Sequence, residues 1–336
     1  MKEIIYAIFL SFFLCGLCGN AEAKKKKEVK KAIKREVQTP YDKLFKGKKA
    51  FTVNGLMKMH LMAGKVYAEF PIELLNRDLA LTSSIEDISD NGEGVVGQFA
   101  GRVNQFRFTL QDSMLQARLV RRYGVKNTGM GKNADQIIER SNTPGIFQSY
   151  KILAYTPDKK AVVVDMTELF LESSRLTNPF PSYAGNSLYG FVQRIHKFQS
   201  QRSELLGICG NDNSMSVHCN LGFNVDRLVL GSFMQAKDVP VSVTVNKILM
   251  LLPEDPMRPR LADSRIGVNA IIQTELPDVC QGIKTYYITK RWRIEPVDEI
   301  RYKQGEMVDV KKPIVFYIDT LMPDSWIKYV KAGAEA

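Results

Sequence analysis

The chain has 336 residues, 45% hydrophobic and 25% charged, a balance that excludes a wholly disordered polypeptide and leaves room for two domains or one large one. Its 47 Lys and Arg against 36 Asp and Glu give a net charge of +11. Lys24–Arg35 (KKKKEVKKAIKR) alone carries eight cations and one carboxylate, so the excess is a local block and not the broad basic face of a nucleic-acid binder.

The N-terminus reads as a targeting segment. Lys2 precedes an apolar run over residues 4–17, and Ala21-Glu22-Ala23 fits the small-x-small cleavage rule, so residues 1–23 are expected to be removed as a signal peptide. The run is short for a membrane span. Neither Cys15 nor Cys18 follows the small residue that lipid attachment requires. The mature protein is therefore expected to be exported, to the periplasm, the outer surface or the medium. Residues 24–39 follow as a flexible basic tail whose expected contact, if any, is weak and with an anionic surface.

Strand-like alternation then dominates. Residues 41–49 read as a short helix or loop lead-in. Residues 56–61 and 65–70 form a hairpin about Ala63-Gly64, residues 71–77 a brief helical turn, and residues 78–85 another strand. Residues 105–110 and 113–121 make a second hairpin, and residues 146–155 with 161–165 a third. The run 165–172 (DMTELFLE) is helix-like, with Asp165 or Thr167 as its cap. Residues 187–196, 200–209, 216–230 and 239–252 alternate again, the last strongly β-branched. Residues 313–319 (PIVFYID) read as an apolar strand and residues 323–336 as an amphipathic helix. The expected fold is mainly β with minor helices, an antiparallel sandwich-like or barrel-like body. A softer boundary near the glycines of residues 90–97 divides a small domain (40–92) from a larger one (93–305), with residues 306–336 beginning a further domain.

Three cysteines outlast the signal segment: Cys209, Cys219 and Cys280. An odd count leaves at least one thiol without an intrachain partner. Cys209 and Cys219 flank GNDNS, and two readings stay open there, a disulfide across a hairpin or two unpaired thiols.

Tests for chemistry come back empty. The three histidines, His60, His196 and His218, lie far apart, and none opens a His-Glu-x-x-His zinc motif. There is no Gly-x-Ser-x-Gly elbow. His218 adjoins Cys219, but neighbours on a strand point to opposite faces. Residues 123–135 (YGVKNTGMGKNAD) imitate a phosphate loop, with Asn133 where Ser or Thr should hold Mg²⁺. Residues 87–98 (DISDNGEGVVGQ) imitate a calcium loop, with Gln98 where the bidentate Glu should stand; a polar turn is the better reading. The most distinctive internal stretch is residues 253–272, where Pro253, Pro256 and Pro259 forbid regular helix. Arg258, Arg260, Asp263 and Arg265 there are candidates for a locked corner that docks another domain.

At this corner the chain resembles a known family. PMRPRLADSRIGV, TYYITKRWRIEP and KKPIVFYIDTLMPDSWIKYVKAGAEA, in that order, are similar to the region leading into the catalytic domain of secreted bacterial zinc-dependent metalloproteases of metzincin-like type. Residues 41–83 resemble the opening of the same family, so the resemblance spans about residues 40–336. It implies that residues 313–319 are the first strand of the peptidase domain, that 323–336 start its first helix, and that the zinc-binding helix lies beyond. The expectation is therefore a non-catalytic N-terminal portion serving as scaffold, substrate-docking or latency module, with no cofactor of its own and inactive alone. Its expected partners are the catalytic domain and a peptide or protein substrate. The alternative is a free-standing exported β-rich module that binds peptide or glycan.

Overall fold

The computed structural model describes residues 38–335 except 102, 121–125, 128–135, 138–139, 174–176, 181–191, 230–232, 277–281 and 283. The signal segment, the basic block, Cys280 and most of the glycine-rich loop 123–135 lie outside the described residues.

Helix α1 (Pro40–Phe45) opens the described chain, with Thr39 and Asp42 closing a reciprocal capping box. Strands β1 (Phe51–Val53), β2 (Lys58–Met62), β3 (Lys65–Pro71) and β4 (Asp78–Ile88) follow, then β5 (Asn104–Gln111), β6 (Met114–Val120) and the two-residue β7 (Lys126–Asn127). Next come β8 (Gly145–Tyr155), β9 (Ala161–Asp165) and helix α2 (Thr167–Leu171). The long strands β10 (Val192–Asn211), β11 (Ser214–Val229) and β12 (Phe233–Leu251) precede β13 (Ala270–Leu276), β14 (Lys284–Thr289), helix α3 (Glu299–Lys303) and helix α4 (Asp324–Glu335).

Eleven strands form one sheet in the order β1-β2-β3-β9-β8-β6-β5-β4-β12-β11-β10, with every neighbouring pair antiparallel. The sheet curls until its ends meet at one point: Leu56 N–H, between β1 and β2, donates to Asn211 O at the end of β10, at 2.7 Å. It does not close, because β1 and β10 share no ladder. The expected boundary at 92/93 does not separate two sheets, since β3 pairs with β9 and β4 with both β5 and β12.

Alternation decides what fills the curl. Met215, Val217, Cys219, Leu221, Phe223 and Val225 of β11 point inward, as do Val241, Val243, Val245 and Leu249 of β12. They join two clusters, one around Phe70, Phe106, Phe108 and Phe170, the other around Phe180 and Phe223. Helix α2 contributes Leu169 and Phe170 to the first cluster, while Leu171 packs on the second. Its C-terminal carbonyls find unusual partners: Cys219 Sγ–H donates to Phe170 O at 3.3 Å, and Lys247 Nζ to Glu172 O at 2.8 Å. Lys247 is 1% exposed, a charged group within the core.

Of the two readings left open for the cysteines the structure has the unpaired thiols, and one strand expectation fails, each for a physical reason. Cys209 and Cys219 are free thiols. The register sets Cys209 opposite Ser216 and Cys219 opposite Leu205, about 10 Å apart along the strands, and Cys219 is buried while Cys209 is exposed. Residues 313–319 are not a strand: no ladder partner reaches them. The helix expected after them is present as α4.

The hairpin between β2 and β3 yields a simple test. Ala63 (φ 51°) and Gly64 (φ 71°) both lie in the left-handed region, the geometry of a type I′ turn that favours Asn-Gly. Ala63→Asn should raise the unfolding free energy by about 1 kcal/mol, read as a later urea midpoint at unchanged m-value.

Candidate functional site

The most unusual surface lies C-terminal to the sheet. The last buried hydrophobic residue among those described is Leu249. Beyond it, the corner 253–269 is held by backbone partners: Arg291 Nη2 donates to Arg258 O (2.8 Å), Thr289 N to Arg260 O (2.9 Å), Ala262 N to Tyr287 O (2.8 Å) and Arg293 Nη1 to Asp255 O (2.8 Å). Of the four predicted docking residues, Asp263 and Arg265 form a local fork (2.6 Å for the shorter arm), while Arg258 and Arg260 contribute carbonyls. The residues that tie the corner down, Arg291 and Arg293, were not singled out by the sequence. Arg77 to Glu254, at 2.8 Å, links corner and sheet.

From this corner the chain carries aromatic side chains into solvent. Trp292 is 64% exposed, Tyr317 92% and Trp326 62%, and no residue of α4 is buried. Trp292 meets Phe316 edge-on, with centroids 6.5 Å apart, so the aromatic surface draws on two segments. Aromatic residues of this kind are the usual anchors of protein interfaces, and so much uncovered apolar surface is uncommon on a monomer.

Two buried polar clusters were also invisible beforehand. Between α1 and the outer face of β2 and β3, Glu69 Oε1 accepts from Tyr41 Oη–H (2.5 Å) and lies 3.0 Å from His60 Nε2, while His60 Nδ1 contacts Thr52 Oγ1 at 2.8 Å. Burial pushes the Glu69 carboxyl up, but the His60 and Tyr41 hydrogen bonds and the Lys58 charge outweigh it and hold it below its ordinary range. Burial and the same carboxylate drive the Tyr41 phenol upward. Glu69 faces a groove of about 830 Å³ that also includes Lys58, Asp158, Lys160 and Ile72.

The second cluster occupies the turn that imitated a calcium loop. Glu93 is 1% exposed; its Oε2 lies 2.8 Å from His196 Nε2, its Oε1 accepts from Arg227 Nε at 3.0 Å, and Arg194 Nε stands 3.3 Å away. Asp90 also pairs with Arg227. Burial raises the Glu93 carboxyl, yet hydrogen bonds from His196 and Arg227 and the charge of Arg194 hold it below the usual range. Asp90 and Glu93 of this loop face guanidinium groups, and His196 stacks on Phe180 at 4.0 Å.

The histidines do not converge. His60 pairs with Glu69, His196 with Glu93 and His218 with Glu86 at 2.9 Å, each on a different part of the sheet. Among the described residues no group of three or more His, Cys, Asp or Glu side chains is placed to hold a metal ion. No helix among them is long and apolar enough to cross a membrane.

No curated protein and no solved structure matches the chain. Residues 38–88 match a domain of unknown function, DUF5118, and residues 97–297 match a second, DUF5117. The junction between them falls just after β4, inside a single sheet. With more than half of its length matched by the latter, the chain belongs to the family of the domain of unknown function DUF5117.

Proposed function

We propose that this chain is the non-catalytic, β-rich part of an exported zinc-dependent metalloprotease, a scaffold on which the peptidase domain docks. The observation that carries the proposal is the split in burial. The curled sheet holds an apolar core, whereas the described residues beyond Leu249 place Trp292, Phe316, Tyr317, Trp326 and Tyr329 in solvent and include no buried hydrophobic side chain. Such a surface has a physical reason to exist if a second body covers it. The resemblance of residues 256–336 to the approach to a metzincin-like domain supports the identity of that body. The sequence contains no His-Glu-x-x-His motif, so this reading assigns zinc to the partner.

The purified mature chain, given zinc, should hydrolyse broad-specificity peptides no faster than a chelated control. It should bind a separately produced His-Glu-x-x-His peptidase domain of the resembling family, and Trp326→Ala should weaken that binding at least about tenfold. Chelator-sensitive turnover by the chain alone, or no binding by the unaltered chain, would refute the proposal. The groove beside Glu69 favours a second reading, a free-standing binder of peptide or glycan. In that case ligand affinity would depend on Lys58 and be indifferent to Trp326.

A further inference from the structure

The groove beside Glu69 holds an acceptor and a donor arranged for one kind of ligand. The Glu69 side chain is only 7% exposed, yet it lines a groove of about 830 Å³. One of its oxygens is committed: Oε1 accepts from Tyr41 Oη–H and lies 3.0 Å from His60 Nε2, while Thr52 holds the far side of that imidazole. The other oxygen, Oε2, has Lys58 Nζ at 3.4 Å, longer than a good hydrogen bond. An ionised carboxylate has about four lone-pair sites and an ammonium three donors, so both groups keep capacity for a further partner. A fixed acceptor thus stands beside a donor, at about the spacing of neighbouring hydroxyl oxygens on a sugar ring. One hydroxyl can donate to Oε2 while its neighbour accepts from Nζ.

The rest of the lining narrows the ligand class. Three carboxylates (Glu69, Glu73, Asp158) are matched by three ammonium groups (Lys58, Lys159, Lys160), so the groove has no net charge. An anion would meet the carboxylates and a cation the lysines, whereas a neutral ligand rich in hydroxyls uses both. Leu56, Pro71 and Ile72 add apolar lining, which suits the C–H face of a sugar ring. The volume lies within the roughly 300–1,000 Å³ of small-ligand sites.

A peptide is less well served. Extended peptides gain affinity from unpaired main-chain groups, and several along these walls are already paired. Leu56 N donates to Asn211 O (2.7 Å), Ile72 N to Lys160 O (2.8 Å) and Thr156 N to Ala161 O (3.0 Å). The turn 156–160 is fixed by side chains as well: Asp158 Oδ1 accepts from Thr156 Oγ1–H at 2.7 Å and from Lys160 N at 3.1 Å. A wall held in this way, facing a carboxylate held by Tyr41 and His60, loses little freedom when a ligand arrives.

We infer that this groove binds a neutral oligosaccharide, with Glu69 and Lys58 clasping two adjacent hydroxyls of one sugar unit. This rests on the groove reading given above, narrows its ligand from peptide or glycan to glycan, and is independent of the docking surface. The test titrates the purified chain calorimetrically with cellotetraose, xylotetraose, mannotetraose and maltotetraose, and with tetragalacturonate and end-blocked tetra-alanine beside them. At least one neutral tetrasaccharide should bind with a Kd of about 1 mM or tighter, and with little dependence on salt. Lys58→Met and Glu69→Gln should each weaken that binding at least about tenfold, while Trp326→Ala leaves it unchanged. Lys58 is half-exposed, so Lys58→Met should stay folded by circular dichroism and decides the matter if the buried Glu69→Gln does not fold. Binding of tetra-alanine and of no sugar would keep the groove reading and overturn the glycan. Tighter binding of tetragalacturonate than of every neutral sugar would make this an anion site and overturn it too. Sugar affinity untouched by Lys58→Met would place the contact elsewhere and refute the assignment. No binding by any probe would remove the groove reading and the glycan together.

Discussion

Lys247→Met is expected to make the protein more stable at pH 7 by about 1–2 kcal/mol and less stable than wild type above pH 10.5. Burial pushes the Lys247 ammonium down from 10.5 to about 8. The unfolded chain therefore binds an extra proton between those values, and wild-type stability rises with pH across that window. Keeping the ammonium charged at neutral pH costs about 3 kcal/mol, partly offset by its bond to Glu172 O. Methionine removes the cost and the bond together, so the wild-type-minus-variant difference should climb by about 3 kcal/mol from pH 7 to pH 10.5.

Cys219 acts in the opposite sense. Burial raises its thiol from 9.0 to about 11, so the unfolded thiol ionises first and stability is lost as pH rises through that interval. Wild type should therefore gain stability from pH 8 to 9 and then level off, whereas Lys247→Met declines from pH 9. Urea unfolding at half-unit intervals of pH reads this directly. A difference between the two proteins that does not change with pH would show that Lys247 is not a buried ammonium.

Glu93→Ala is expected to destabilise the protein by about 3–5 kcal/mol, since it removes the buried carboxylate that Arg194, Arg227 and His196 share and leaves Asp90, on Arg227, as the remaining carboxylate of the cluster. In a chain of this size that amounts to roughly a 10 °C drop in melting temperature. The loss should be concentrated in the turn between β4 and β5, where amide exchange at residues 89–100 accelerates before the rest of the sheet. The pH dependence has a definite sign. The folded carboxyl lies below its ordinary 4.5, so its stabilisation is present above that value and is lost as pH falls through the folded one. The variant should accordingly show a flatter acid limb than wild type. A cost below about 1 kcal/mol would mean the cluster is solvated and contributes little.

Much of the sheet was legible because alternation is a local signal. Leu56 to Phe70, Phe106 with Phe108, and Val239 to Leu251 announce strands through nearest neighbours alone, and the Ala63-Gly64 turn announces its hairpin. β10 reads as two strands because the irregular stretch between Gln199 and Glu204 breaks its period. Residues 313–319 read as a strand because their side chains suit one, but a strand exists only where a neighbour supplies hydrogen bonds, and neighbours are not local. The same limit hid the polar clusters: Arg227 is 134 positions from Glu93, and Glu172 is 75 from Lys247. Lys247 did leave a trace. Counting by twos from Val243 through Val245 to Leu249 carries a lysine into the core, and a charge at such a position invites the question of what it touches. The cysteines show the reverse case, in which closeness along the chain kept a bond open as one of two readings and the register forbids it.

The junction between the two matched segments has an evolutionary consequence. β4 belongs to the first segment, yet both of its ladders run to strands of the second, and β3 likewise leans on β9. A recombination event that carried off either segment alone would deliver raw edges and half a core to its new gene. The pair is therefore one heritable cassette, and the boundary near residue 92 marks a change in sequence character at which the molecule itself has no seam.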